Sequence, residues 1–183
     1  AKGARMGGAA IYENTKAEEL CIENGAVVGV HTDRGFLKSS TVILCGGMWS
    51  RDIAKSVGVE LPLHACEHFY VVTEEMDGLT PRPVLRDFDK GVYFKEDAGK
   101  MLVGWFEHNA KGLSMDRISE DFCFDQFPCD MEHIEEYLIR GMETFPKFGE
   151  VGIRTWFNGP ESFTSDNLHL MGPTPEVDNL YVA

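Results

Sequence analysis

The sequence has no long hydrophobic run, no excess of basic residues and no paired cysteine motif. No apolar stretch approaches the roughly 18 residues that a transmembrane helix needs, and the first residues, AKGARMGGAAIYENT, contain no apolar signal core. The 17 Lys and Arg residues against 30 Asp and Glu give a formal charge of −13. This charge would repel phosphate groups, so we expect neither nucleic acid nor a membrane as a partner.

Several motifs of metal and hydrolase sites are also missing. The five cysteines are an odd number without a CxxC pair, which suits free thiols in a reducing compartment. Cys123, Cys129 and His133 lie close in sequence, but no fourth ligand has matching spacing, so we predict no metal site. No G-x-S-x-G or H-E-x-x-H motif occurs. The G-x-G-x-x-G turn is absent as well, since the glycines of residues 3–8 and 25–29 lack its spacing.

The first third of the chain reads as short strands. AAIYENT, residues 9–15, and the segment from residue 17 onward read as successive short strands of a meander, with turn signals at residues 23–25 and 33–35. An apolar strand at residues 41–45 follows, and its composition predicts burial on both faces. Residues 50–58 predict a short helix that Ser50 caps.

The remaining pattern mixes strands with one longer helix. A strand near residue 70 precedes a hairpin that turns at Gly99, and residues 109–128 are irregular and polar. An apolar stripe over residues 131–145 predicts an amphipathic helix capped by Asp130. A strand at residues 153–157 is predicted to lead into a turn-rich loop and then a final short strand.

The octapeptide ILCGGMWS, residues 43–50, allows two interpretations. Gly46 and Gly47 directly after a strand let the chain turn at low steric cost. They also let a backbone approach a large flat cofactor, which nucleotide-binding folds place at strand ends. Trp49 would then shield the cofactor, or it would pack in the core. The octapeptide alone leaves both interpretations open.

Seven segments match a known family in order and spacing. They are GAAIYENTKAEEL, GVHTDRG, TVILCGGMWS, LPLHACEHFYVVTE, VLRDFDKGVYFKED, LVGWFE and NGPESFTSDN with HLMGPTPEVDNLYVA. Together they resemble the FAD-dependent amine oxidoreductases of the dimethylglycine and sarcosine dehydrogenase group, over essentially the whole chain. The resemblance implies an α/β (α+β) fold. Part of a Rossmann-like FAD/NAD(P)-binding domain is expected at residues 1–58 and 158–183. Residues 59–157 are expected to form a substrate domain with an antiparallel or mixed β-sheet and flanking helices.

The resemblance implies FAD as cofactor. It places Ala17, through its backbone, Gly46, Gly47 and Trp49 at the cofactor. The family's G-x-G-x-x-G turn, its later flavin-contacting loop and the histidine that carries covalent flavin in some members are not in this sequence. We therefore expect an incomplete FAD site and a piece of a longer chain, with poor flavin binding by the piece alone.

The resemblance also implies a substrate site. His68 and Tyr93 match the catalytic pair of the dimethylglycine-oxidising members. N-methyl oxidation needs an unprotonated amine, and a histidine is suited to take the proton from the amine nitrogen. A tyrosine hydroxyl can orient the amine or its carboxylate. Tyr70 shares a strand face with His68 and is a candidate substrate-binding residue. From the residues alone, all three could equally be interior packing.

Other residues are weaker candidates. Phe94, Trp105 and Phe106 could form an aromatic wall for a methylated ammonium, or they could belong to the core. Arg86 and Arg154 could bind a substrate carboxylate bidentately, but spacing singles out neither.

The resemblance implies oxidative demethylation of a small N-methylated amino acid, dimethylglycine or sarcosine. An electron-transfer flavoprotein or oxygen would accept the electrons, and tetrahydrofolate is implied only for a downstream domain. A bacterial parent would be cytoplasmic and a eukaryotic one would lie in the mitochondrial matrix. PLHACEHFY equally resembles the pyruvate dehydrogenase phosphatase regulatory subunit, so a non-catalytic regulatory role is the alternative. A stand-alone binding module for methylated amines is a third possibility.

Overall fold

The computed structural model describes all residues 1–183, which divide into two compact units. Unit 1 comprises Ala1–Leu63 and Phe163–Ala183, and unit 2 comprises His64–Ser162. None of the helices has the length and apolar character needed to cross a bilayer. The mixture of antiparallel and mixed sheets with few helices confirms the predicted α/β (α+β) class.

Unit 1 contains two small sheets and two short helices. In chain order its elements are α1 (Lys2–Met6), β1 (Ala17–Glu23), β2 (Ala26–Thr32), β3 (Gly35–Lys38), β4 (Val42–Leu44), α2 (Ser50–Lys55), β10 (Gly172–Pro173) and β11 (Leu180–Val182). Strands β1 to β3 form the predicted meander, in which Asn24 and Gly25 turn with φ of 51° and 82°. Strand β11 pairs parallel with β4 and antiparallel with β10.

Three predictions for unit 1 were wrong. Residues 9–15 form no strand, because they pair with no neighbouring strand. Strand β4 is not buried on both faces, because it is the outer strand of its sheet and Ile43 is 59% exposed while Leu44 is buried. Ser50 is not a helix cap, since Trp49 occupies the cap position and Ser50 is the first residue of α2. Its Oγ instead accepts a hydrogen bond from the Gly46 backbone N–H at 2.9 Å. Ser50 thus fixes the glycine turn rather than the start of the helix.

Unit 2 is built on one five-stranded sheet. Its elements are β5 (Leu63–Thr73), β6 (Leu85–Asp87), β7 (Val92–Asp97), β8 (Lys100–Trp105), α3 (Met131–Thr144) and β9 (Ile153–Thr164), and the strand order is β6-β7-β8-β5-β9. The hairpin between β7 and β8 turns at Ala98 and Gly99, as predicted. The strand expected to end at Phe157 instead continues past Pro160. Strand β9 lies at the sheet edge, where a proline is tolerated because no ladder partner needs its missing N–H.

The helix α3 covers one face of this sheet. Asp130 caps it, as predicted, by accepting a hydrogen bond from the His133 backbone N–H at 3.1 Å. Three residues of the predicted apolar stripe, Ile134, Tyr137 and Leu138, are buried, whereas Met142 is exposed. Ile134, Tyr137 and Leu138 pack with the inward-facing strand residues, among them Phe69, Val71, Val92, Phe94, Val103 and Trp105. Because side chains alternate along a strand, the intervening residues of β5, β7 and β8 lie on the opposite face.

Candidate functional site

The opposite face of the unit 2 sheet brings both candidate tyrosines together. Gly104 on β8 is the cross-strand partner of Tyr70 on β5 and of Tyr93 on β7. The Tyr93 ring lies directly over Gly104, because a Cβ built there would be 2.2 Å from Tyr93 Cζ and Oη. A glycine in the middle strand therefore allows the phenol of Tyr93 to lie flat across the sheet toward Tyr70.

His68 lies on the same face, two residues before Tyr70, between two carboxylates. Its Nδ1 is 3.9 Å from Glu107 Oε1 and its Nε2 is 3.5 Å from Glu161 Oε2. The side chain is 16% exposed. Burial lowers the pKa of His68 below its ordinary value, and the charge of Glu161 opposes that shift. A neutral imidazole is therefore favoured near pH 7.

Glu107 follows β8 and is the most deeply buried acid of the site, with a side chain that is 1% exposed. Its Oε1 accepts a hydrogen bond from the Phe69 backbone N–H at 3.3 Å, while its buried Oε2 has no hydrogen-bond partner. Burial is the main cause that raises the pKa of Glu107 to about 7; the charges of Glu161 and Glu67 also raise it, and the Phe69 hydrogen bond lowers it. Glu107 is thus an acid that changes charge near neutral pH.

Tyr93 remains a neutral hydrogen-bond donor at this face. Burial raises the pKa of its hydroxyl above the ordinary value, and the nearby Glu161 and Tyr70 raise it further, while Arg86 lowers it. A phenol that stays protonated can donate its proton in a hydrogen bond to an oxygen or nitrogen of a bound molecule.

Aromatic rings border the site. Phe157 stacks on Tyr70 with ring centroids 4.5 Å apart. Phe106 is 43% exposed and its ring centroid lies 5.6 Å from that of Tyr93. Arg86 lies over Phe106, with Cζ 4.0 Å from the ring centroid. Of the predicted aromatic wall, only Phe106 lies at this face.

The other members of that wall and the second arginine are elsewhere. Phe94 and Trp105 are 3% and 0% exposed within the core beneath α3, so the core interpretation of these two residues is confirmed. Their strand positions alternate with the site residues, which turns both side chains inward. Arg154 pairs with Glu74, with Nη1 3.8 Å from Oε2.

A small cavity adjoins the buried side of the site. It has a volume of about 50 Å³ and is lined by residues that include Glu67, Glu107, Cys129, His133 and Asn158. The Asn158 side-chain amide donates to Glu67 Oε2 at 2.9 Å and to the Pro128 carbonyl at 3.2 Å. No group of three or more His, Cys, Asp or Glu side chains is arranged to hold a metal ion.

The predicted cofactor residues all lie in unit 1. Gly46 and Gly47 follow β4, and Gly47 has a φ of 55° with open space where a Cβ would lie. Trp49 is 46% exposed, whereas its neighbour Met48 is buried. Ala17 is exposed at the start of β1, opposite Thr32. An exposed indole beside a glycine turn at a strand end fits part of a site for a flat nucleotide cofactor.

The sequence did not single out Glu107 and Glu161. Glu161 fell in a segment predicted as loop, although it lies on β9 four residues after Phe157 and on the same face. Glu107 carried one available signal, an acid at the end of the apolar segment LVGWFE. An acidic residue that ends an apolar strand is compatible with a buried functional carboxyl.

Comparison with known proteins finds relatives that match the whole length of this chain. The chain is 37% identical to 4-methylaminobutanoate oxidase (formaldehyde-forming) of Paenarthrobacter nicotinovorans and 31% identical to human mitochondrial sarcosine dehydrogenase, each over all of this chain. It is also 31% identical over its whole length to the mouse mitochondrial pyruvate dehydrogenase phosphatase regulatory subunit. The chain spans only 22%, 20% and 21% of these three relatives.

Solved structures share the fold. An L-proline dehydrogenase from P. horikoshii superposes with a TM-score of 0.80 at 22% identity, over 98% of this chain and 46% of that one. A glycine oxidase from Bacillus cereus superposes with a TM-score of 0.71 at 21% identity, over 99% and 46%. The FAD dependent oxidoreductase family matches residues 1–183 in full. The glycine turn of unit 1, the sheet of unit 2 and this match agree, and the chain belongs to the FAD-dependent oxidoreductases.

Proposed function

We propose that the protein containing this chain carries out the oxidative demethylation of a small N-methylated amino acid, such as dimethylglycine or sarcosine. The observation that supports this most directly is His68, which lies between two carboxylates on the sheet face that also holds Tyr70 and Tyr93. In this proposal His68 and Tyr93 are the catalytic pair and Tyr70 binds substrate.

The protonation states of the two catalytic residues suit this chemistry. An N-methylated amino acid carries a protonated nitrogen at neutral pH, and oxidation requires the free amine. Neutral His68 accepts that proton on Nε2, while the protonated phenol of Tyr93 donates a hydrogen bond that orients the substrate. Phe106 and Tyr70 offer ring faces to a methylated ammonium.

The cofactor in this proposal is FAD, held in part by Ala17, Gly46, Gly47 and Trp49. When bound, FAD supplies the two-electron oxidation of the N-methyl carbon. Residues 1–58 and 158–183 would belong to the cofactor domain and residues 59–157 to the substrate domain. Oxygen or an electron-transfer flavoprotein would then reoxidise the flavin.

The names of the relatives support the substrate class. The 4-methylaminobutanoate oxidase and the sarcosine dehydrogenase each act on a methylated amine that carries a carboxylate. Arg86, beside Phe106 at the edge of the site, is the candidate that could bind such a carboxylate.

The test is anaerobic bleaching of the flavin in the full-length protein by sarcosine, dimethylglycine and 4-methylaminobutanoate. We expect one of these amines to bleach the flavin, and His68→Ala and Tyr93→Phe each to slow bleaching about a hundredfold, the loss typical of an acid–base group. Tyr137→Phe, on the opposite side of the sheet, and His31→Ala, in unit 1, are matched controls that leave the rate unchanged.

The regulatory alternative has one supporting observation, the 31% identity to the pyruvate dehydrogenase phosphatase regulatory subunit. In that case His68 and Tyr93 would be retained scaffold. Wild-type protein that is folded and loaded with flavin but is bleached by none of the three amines would favour this role over the enzyme.

A further inference from the structure

Glu107 is held in a fixed position behind His68. The backbone N–H of Phe106 donates to the Gly91 carbonyl at 2.7 Å, which anchors the chain just before Glu107 to the start of β7. The Glu107 carboxylate then accepts a hydrogen bond from the N–H of Phe69, the residue directly after His68. Oε1 therefore faces His68 Nδ1, at 3.9 Å, from the buried side of the sheet.

The two nitrogens of His68 thus have different surroundings. Glu107, 1% exposed, lies opposite Nδ1, whereas Glu161, 53% exposed, lies opposite Nε2. The buried carboxylate opposite Nδ1 favours the tautomer that carries its proton there, because solvent screens the attraction of the exposed Glu161 for a proton on Nε2. The Nε2 lone pair is then free to accept a proton. Nε2 is the nitrogen on the side of the solvent-exposed carboxylate.

The charged groups around Glu107 are mostly acidic. The groups that face it from the packed elements are Cys66, Glu67 and His68 on β5, Tyr93 on β7, Glu161 on β9, and Tyr137 and His133 with the cap residue Asp130 at α3. Lys111 pairs with Asp130 instead. His68 and His133 are thus the basic groups near Glu107, and of these His68 has a ring nitrogen that faces the carboxylate, at 3.9 Å.

We propose that Glu107 is a positioning residue that fixes the tautomer of His68 and stabilises its protonated form, and that Glu161 passes the proton to solvent. This inference rests on the proposed function. The amine proton of the substrate binds to Nε2, the Nδ1 proton stays in place facing the Glu107 carboxylate, and the Nε2 proton then transfers to Glu161. No electrons move in these steps, and each proton lost by one group is gained by the next.

The test measures the protonation of His68 without using turnover. Diethyl pyrocarbonate modifies neutral imidazole, so its rate of reaction at His68, followed by mass spectrometry of the peptide across pH 5–9, reports the protonation midpoint. Glu107 and His68 face each other at 3.9 Å, so the proton taken up near pH 7 is shared between them. In the full-length protein we expect Glu107→Gln to lower the His68 midpoint by about one pH unit, a tenfold loss of proton affinity, because His68 then keeps only the opposing effects of burial and Glu161. The low-pH limb of the flavin-bleaching rate should shift equally.

Two further variants complete the test. Glu143→Gln, an exposed acid at the far end of α3, should leave the midpoint unchanged. Glu107→Asp keeps the charge and should restore most of the wild-type midpoint, which also covers the case in which the glutamine variant fails to fold. An unchanged midpoint in folded Glu107→Gln, or an aspartate variant shifted by the full unit, would overturn the inference. Because the modification needs neither substrate nor flavin reduction, it fails or succeeds independently of the demethylation test.

Discussion

Tyr93 depends on Gly104 for its orientation. The phenol crosses the middle strand where a side chain would occupy the same space, since a Cβ at Gly104 would lie 2.2 Å from two Tyr93 atoms. The atoms in conflict belong to the far end of the tyrosine, which can rotate away. A side chain at this position therefore moves the Tyr93 hydroxyl and leaves the backbone of the sheet in place.

We expect Gly104→Ala to slow flavin bleaching about as much as Tyr93→Phe does, ten- to a hundredfold, because the hydroxyl is displaced by several ångströms. The free energy of unfolding should change by less than about 1 kcal/mol, since no backbone clash arises. Stopped-flow bleaching and urea unfolding measure the two effects. Gly152→Ala is the control, because a Cβ there meets only Glu74 Cγ at an ordinary 3.6 Å. Full activity in Gly104→Ala would contradict a role for the Tyr93 hydroxyl.

The sequence pointed to His68 and Tyr93 through a family resemblance, but it could not reveal their acidic partners. Glu107 lies 39 residues after His68, and its burial comes from elements distant in sequence. The residues of a short segment show which side chains are present, but they do not show which distant side chains pack against them. A buried acid therefore looks like a solvated one until the sheet is assembled.

The helix α3 shows how a cap residue can serve two interactions. Asp130 accepts a hydrogen bond from the His133 N–H and also pairs with Lys111. We expect Asp130→Ala to lower the free energy of unfolding by about 1 kcal/mol, the usual loss for a cap. Asp130→Asn should cost less, because asparagine retains the cap and loses only a half-exposed ion pair. Urea unfolding compares the two, and Lys111→Met isolates the pair. Equal losses in the alanine and asparagine variants would show that the cap contributes little.

Among the helices and strands, the sequence correctly predicted those features that depend mainly on residues close together in the chain. The α3 stripe with its Asp130 cap and the Gly99 turn of the β7–β8 hairpin need only near neighbours in sequence. The extent of β9 was missed because Gly159 and Pro160 are usual strand breakers. Strand β9 continues because it pairs with β5 at the edge of the sheet. The residues of the β9 segment alone do not indicate that pairing.

The free energy of unfolding of the whole molecule should depend on pH through the ionisation of Glu107. Its pKa is raised from 4.5 to about 7 on folding, so the folded state binds the proton more tightly than the unfolded state. The stabilisation by this proton is complete below pH 4.5 and is lost as the pH rises through 7, a change of about 3 kcal/mol at 1.4 kcal/mol per unit. The pKa of His68 is lowered, so its contribution runs the opposite way and is lost as the pH falls below 6.5.

We therefore expect wild type to gain stability relative to Glu107→Gln between pH 8 and pH 5. The glutamine cannot bind the proton, so the difference in unfolding free energy between the two proteins isolates Glu107. Urea unfolding at several pH values measures that difference. Glu143→Gln, which changes an exposed acid, should give a difference that is flat with pH. A flat difference for Glu107→Gln as well would mean that Glu107 titrates normally in the folded protein.

The pairing of β4 with β11 sets an order for folding during synthesis. Val42 pairs with Leu180, so the sheet of β4, β10 and β11 forms only after the ribosome has added residues that follow the whole of His64–Ser162. Unit 2 has its own sheet, helix and core, and all of its residues emerge earlier. Unit 2 can therefore pack first, while β4 remains without its partner strand β11.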